Sequence, residues 1–202
     1  MEQRTAEWFA ARCGKVTASR VADVVAKTRT GYAASRANYM AELVCERLTG
    51  KPTEGFSNAA MQWGTDQEPF ARDAYSARTG ELVTEVGFVA HPRIPMAGCS
   101  PDGIVGTGCV EIKCPNTANH IEYLLTREPP QKYFYQMQWQ MACTGSEWCD
   151  WVSYDPRMPE NLQLLIVRIP RDDDAIRMLE TEVESFLTEL NDKVNKLKEL
   201  SV

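Results

Sequence analysis

Residues 99–115 read Cys-Ser-Pro-Asp-Gly-Ile-Val-Gly-Thr-Gly-Cys-Val-Glu-Ile-Lys-Cys-Pro. A proline-held aspartate is followed by a glycine-rich reversal and then by an apolar run that carries a glutamate and a lysine on alternate positions. In a strand, residues two apart face the same side about 7 Å apart. Glu111 and Lys113 therefore project together, while Val110, Ile112 and Cys114 turn to the core. Gly103, Gly106 and Gly108 allow the chain to double back, and a hairpin closed there brings Asp102, at the end of the preceding short strand, near Glu111. Two carboxylates so placed repel, and one pKa rises unless a cation enters. Mg²⁺ commonly occupies sites built from one or two carboxylates and substrate phosphate oxygens. A neighbouring lysine then orients or deprotonates water, or stabilises charge on a phosphoryl oxygen. The chemistry that uses all three groups is metal-assisted hydrolysis of a phosphodiester.

Around this stretch, the 202-residue chain is 44% hydrophobic, enough for a single domain with a real core. Helical periodicity is read over residues 6–12, 19–27 and 35–48, the last with Ser35 as N-cap and Gly50 as stop, and over Ala59 to Arg78 with Gly80 closing the helix. From Leu82 the period changes to strands over 82–90, 96–100 and 109–114. Helices follow at 117–125 and 131–142, then strands at 147–154 and 162–169, and an amphipathic helix over 172–200 that packs on the sheet or on a neighbouring subunit.

Seven cysteines without a C-x-x-C pair argue against a disulfide framework and a structural zinc site. The N-terminus lacks the pattern of a secretory signal, and no apolar run approaches the roughly 20 residues that span a bilayer, so a cytoplasmic location is expected. The net charge of −6 weighs against DNA. Its distribution softens this, and reads either as a basic entrance with an acidic back or as a solvated mixture of charges: residues 1–50 hold eight basic and five acidic side chains, residues 170–202 five and nine. Only one lined surface need meet the nucleic acid.

Five stretches together resemble the PD-(D/E)xK nucleases, and more closely the lambda exonuclease family, the phage-type alkaline exonucleases and YqaJ-like viral recombinases. They are Trp-Phe-Ala-Ala-Arg-Cys-Gly-Lys-Val-Thr-Ala-Ser at 8–19, Trp-Gly-Thr-Asp-Gln-Glu at 63–68, the Ser-Pro-Asp-Gly and Glu-Ile-Lys-Cys-Pro pair, Tyr-Gln-Met-Gln-Trp-Gln-Met at 135–141, and Tyr-Asp-Pro-Arg-Met at 154–158. The resemblance implies one nuclease domain over residues 1–202 with an α/β fold: a restriction-endonuclease-like core whose central mixed sheet is flanked by helices, with helices leading in and a long one at the end.

It further implies that Asp102, Glu111 and the Ile112 carbonyl bind catalytic Mg²⁺, with two ions in each site and Mn²⁺ as a substitute. Lys113 would act on the attacking water, Glu68 complete the acidic pocket and Gln136 orient the site. Relatives in the wider superfamily carry a tyrosine where this chain has Gln140, which leaves open which glutamine serves. Arg12, Ser19 and Ser100 would bind a 5′-terminal phosphate, a dianion that suits a guanidinium fork. Arg29 would touch DNA outside the site, and Met61 would wedge the strands apart. The implied activity is processive 5′–3′ digestion of duplex DNA to mononucleotides, leaving a 3′ tail. The implied assembly is a homotrimeric ring that works with a single-strand annealing recombinase in a phage- or prophage-bearing bacterial cell. The alternatives are another endonuclease or repair nuclease of the superfamily, or a non-catalytic DNA-end-binding protein.

Overall fold

The computed structural model describes residues 2–53 and 58–200. The chain opens with α1 (Ala6–Arg12), capped by Thr5, whose hydroxyl accepts from the Trp8 amide. Strand β1 (Val16–Thr17) leads through a single 3₁₀ turn at Ala18–Arg20 into the short α2 (Val21–Val25). A hairpin of β2 (Lys27–Thr28) and β3 (Gly31–Tyr32) comes next, then α3 (Ala34–Thr49) and α4 (Ala59–Thr79). Both long helices end on a left-handed glycine, Gly50 and Gly80, where φ is +67° and +75°. Asn58 caps α4 by accepting from the Met61 amide.

The strands form two mixed sheets beside that hairpin. In the smaller one β5 (Ala97–Cys99) lies between β1, to which it runs parallel, and β4 (Val89–Ala90), to which it runs antiparallel. The larger has the order β6 (Gly103–Val105), β7 (Gly108–Lys113), β8 (Trp148–Tyr154), β9 (Leu164–Pro170). Its only parallel pair among the described residues, β7 with β8, is joined by α5 (Thr117–Thr126) and α6 (Gln131–Thr144), because parallel neighbours need a long crossover.

Alternation along β7 decides what each face meets. Val110 and Ile112 pack with Ala71 and Tyr75 of α4, whereas Cys109 packs with Met137 and Met141 of α6. Glu111 follows the second parity and is carried under α6. The last helix, α7 (Asp173–Glu199), is about 40 Å long at 1.5 Å per residue. Asp172 caps it, and its stripe of Leu179, Val183, Phe186, Leu187, Leu190 and Val194 joins one core with Val21 and Val24 of α2, Tyr39, Met40 and Leu43 of α3 and Trp139 of α6. No helix among the described residues is long and apolar enough to cross a membrane.

Three expectations need correcting. The strand expected over residues 82–90 is mostly irregular, because the segment passes from one sheet to the other: Thr84 bridges Ile104 of β6, and only Val89–Ala90 joins β5. The helix expected over 19–27 shrinks to α2, since Lys27 is drawn into the β2–β3 hairpin. That hairpin also overrides Ser35 as a cap. The Ala33 amide bonds back to the Ala26 carbonyl, so α3 starts at Ala34 with Ala33 as an N-cap that makes no side-chain bond.

Candidate active site

The hairpin expected around Asp102 forms from β6 and β7, with Gly103 opposite Val110 and Val105 opposite Gly108. Continued by one position, that register sets Asp102 against Glu111. Asp102 lies in the link between β5 of the small sheet and β6 of the large one, and its Oδ2 accepts the Ile112 amide at 2.6 Å. Burial, and then the negative charge of Glu111, raises its carboxyl well above the usual aspartate range; Lys113 pulls the other way, and Glu68 pushes it higher again.

Glu111 is only 1% exposed and is held by three donors. Gln136 Nε2 donates to its Oε1 at 2.6 Å, Gln140 Nε2 donates to its Oε2, and Lys113 Nζ contacts Oε1. Gln136 and Gln140 stand one turn apart on α6, so both amides reach the same carboxylate. Burial works against the Lys113 ammonium, but Glu111 and Asp102 overcome it and raise its pKa above the usual lysine value. In this arrangement Lys113 stands as an ammonium against Glu111.

These groups meet at a cleft of about 590 Å³ lined by Asp102, Ile112, Lys113, Gln136 and Glu68, and also by Arg4, Lys132 and Tyr133. Glu111 lies behind this lining, presented through Lys113 and Gln136. Glu68 Oε2 pairs with Arg4 at 2.5 Å and Oε1 with Arg72 at 3.2 Å. With the acids so occupied, no three His, Cys, Asp or Glu side chains among the described residues stand together as a ready-made metal cage. The donor chemistry nevertheless suits a hard ion: Asp102 and Glu68 offer carboxylate oxygens to one cleft, and their mutual repulsion favours a cation there. Cys114 also lines the cleft, and burial, followed by Glu68 and Asp102, pushes its thiol up to about 12.

A second cleft of about 340 Å³ adjoins the first, and Ser19 and Met61 line both. Arg12 lies in it, stacked 4.1 Å from the Trp8 ring centre, and donates to Ser100 Oγ at 3.1 Å. Trp8 Nε1 donates to the same hydroxyl at 2.9 Å. Burial pulls the Arg12 pKa below its usual value, since water no longer solvates the charge, and the guanidinium faces hydroxyl and aromatic groups. Arg12, Ser19 and Ser100 thus fall together beside the acidic cleft. Met61, 54% exposed, stands where the two clefts join. Arg29 does not share them; it lies on the exposed turn between β2 and β3.

Residues 7–147 match the YqaJ-like viral recombinase domain. The chain belongs to this family. The match takes in α1 through α6 and leaves out β8, β9 and α7. Among solved structures, the chain is similar to LHK-Exo, an alkaline exonuclease from Laribacter hongkongensis, which one crystal structure shows in complex with dAMP; that comparison gives 58% identity, a TM-score of 0.92 and coverage of 98% of each chain. A phage-related exonuclease from Haemophilus somnus 129PT is 14% identical with a TM-score of 0.75, covering 91% of this chain and 96% of that one, and shares the fold. No curated protein sequence matches.

Four residues of the two clefts escaped the reading of the sequence. Arg4, Lys132 and Tyr133 line the acidic cleft, and Trp8 supports Arg12. Trp8 opens the first family stretch, which was the available signal; Arg4 carried none, because its partner lies 64 residues away.

Proposed function

We propose that this chain is a Mg²⁺-dependent exodeoxyribonuclease that digests one strand of duplex DNA from a 5′-phosphorylated end. It would release mononucleotides processively and leave a 3′ single-stranded tail for annealing by a partner recombinase. One observation supports the reading: a cleft that brings the carboxylates of Asp102 and Glu68 together with Lys113 opens beside another that holds Arg12, so a scissile phosphodiester and a terminal phosphate would be gripped together. The similar LHK-Exo was crystallised with dAMP, a deoxynucleoside monophosphate of the kind such a reaction releases.

Asp102, Glu111 and the Ile112 carbonyl would hold Mg²⁺, or Mn²⁺ in its place, with room for a second ion toward Glu68. When bound, such an ion supplies Lewis-acid polarisation of water and of phosphoryl oxygen. The chain's own groups do the rest. Gln136 and Gln140 fix the Glu111 carboxylate by one oxygen each, so its direction is set before substrate arrives. Lys113, lining the cleft, would act on the attacking water, orienting or deprotonating it, or steady negative charge on the phosphoryl oxygens. Arg12, with Ser100 and Ser19, would receive the terminal phosphate and hold the next bond in register over the acids. A net-acidic chain is reconciled with DNA if three copies form a ring lined by basic side chains, and that arrangement would also account for processivity.

The test is digestion of a linear duplex labelled at either end, with 5′-phosphate or 5′-hydroxyl termini, with and without Mg²⁺, beside a closed circle. Mg²⁺-dependent loss of the 5′-phosphorylated strand, with the circle intact, is the expected result. A cut circle means an endonuclease, and end binding without cleavage means a non-catalytic end-binding protein.

A further inference from the structure

The segment ahead of α1 lies at the acidic cleft. Gln3 donates Nε2 to two carbonyls, those of Val86 and Pro101, each at 2.8 Å, which fastens it to the residue preceding Asp102. Thr5, on the other side, caps α1. Between these anchors Arg4 adopts φ +67°, a left-handed conformation that costs a residue bearing a Cβ about 1 kcal/mol or more. In that conformation its guanidinium lines the cleft and meets Glu68 at 2.5 Å.

The two arginines on Glu68 differ. Arg72 is one turn along α4 from Glu68, is mostly buried, and also pairs with Glu85 at 2.8 Å, so it belongs to the helix wall. Arg4 comes from another element, and half of its side chain is exposed, at 51%. An exposed ion pair contributes little, about 1 kcal/mol or less. A phosphodiester, whose oxygens accept a planar fork of two N–H donors, offers Arg4 a competitive partner. A divalent cation competes in the same way for Glu68.

We infer that Arg4 is a substrate-phosphate ligand that, while the cleft is empty of DNA, stands in for a cation against Glu68. When a duplex end enters, Arg4 turns to a backbone phosphate and Glu68 is released toward the cation position. The strained backbone holds the side chain where both anions are in reach. This rests on the reading of the cleft as a metal-dependent nuclease site.

Two binding equilibria, neither requiring cleavage, test it on the full chain and on Arg4→Gln, whose fold is checked by its melting temperature. Calorimetric titration with Mg²⁺ without DNA should show several-fold tighter binding to Arg4→Gln, because Glu68 has lost a competing partner. Anisotropy of a labelled 5′-phosphorylated duplex in chelator, across a salt series, should show weaker binding and a log–log salt slope shallower by about 0.9, the signature of one lost phosphate contact. Arg4→Lys should keep the slope and lose part of the affinity, since a point charge cannot fork. An unchanged slope, or an unchanged Mg²⁺ affinity, in Arg4→Gln overturns the inference and leaves Arg4 as a tie for the N-terminal segment. A parent chain that binds neither Mg²⁺ nor the duplex end overturns the nuclease reading as well.

Discussion

Removing the amides of Gln136 and Gln140 one at a time should separate two services to the same carboxylate. Each donates to one oxygen of Glu111, but Gln140 is fully buried whereas Gln136 lines the cleft. A hydrogen bond to a charged group contributes about 1.5–3 kcal/mol. In Gln140→Ala that bond is lost with no water to replace it, and one buried methylene worth about 0.8 kcal/mol goes with it. The sum, about 2–4 kcal/mol, lowers Tm by roughly 4–16 °C at the 2–4 °C per kcal/mol typical of chains this long. In Gln136→Ala, water from the cleft takes the place of the amide, so stability falls by less than about 1 kcal/mol. The carboxylate loses its fixed direction instead, and 1.5–3 kcal/mol of lost transition-state placement lowers kcat about 10- to 150-fold. Calorimetric melting beside single-turnover digestion of a 5′-phosphorylated duplex reads both quantities. A Gln136→Ala chain with kcat within twofold of the parent, or a Gln140→Ala chain with unchanged Tm, would refute this division of roles.

Three further outcomes are expected. Lys113→Ala should lose cleavage while Mg²⁺ still binds, since the change removes a cation from beside Glu111 and Asp102; a nuclease assay beside Mg²⁺ calorimetry checks this, and a fully active variant removes the assigned role. Gly98→Ala should lower stability by about 1–3 kcal/mol, because a Cβ there would lie 2.5 Å from the Val89 carbonyl of the paired strand and 2.3 Å from the Phe88 ring; a melting scan within a degree of the parent would contradict the packing. Acid should destabilise the chain. Hydrogen bonds from Lys27 and Arg36 hold Glu182 and Glu189 below the usual glutamate range, and at Asp155 those from Arg157 and Thr117 outweigh burial. Groups lowered in the folded state bind fewer protons than in the unfolded chain, so their contribution is present above about pH 5 and is lost as the pH falls through their folded values. A urea midpoint equal at pH 6 and pH 3.5 would contradict this.

What the sequence determined by itself follows from local rules. Period-two alternation placed Glu111 and Lys113 on one face of β7 and Val110 and Ile112 on the other, and the glycines of residues 103–108 fixed the reversal that carries Asp102 back toward them. Glycine stops and amphipathic periodicity likewise set the ends of α3 and α4 and the stripe of α7, because capping and helical period depend on neighbours within a few residues. The rest depended on partners distant in the chain. Whether residues 82–90 form one strand was decided by two sheets that claim opposite ends of the segment. That both Gln136 and Gln140 serve Glu111 follows from α6 lying across the buried face of β7. The contact of Arg4 with Glu68, and the adjoining of the Arg12 and Asp102 clefts, likewise appear only once α1, α4 and the β5–β6 link are packed together. Side-chain periodicity records which way a residue points within its own element, and only packing between elements supplies what it points at.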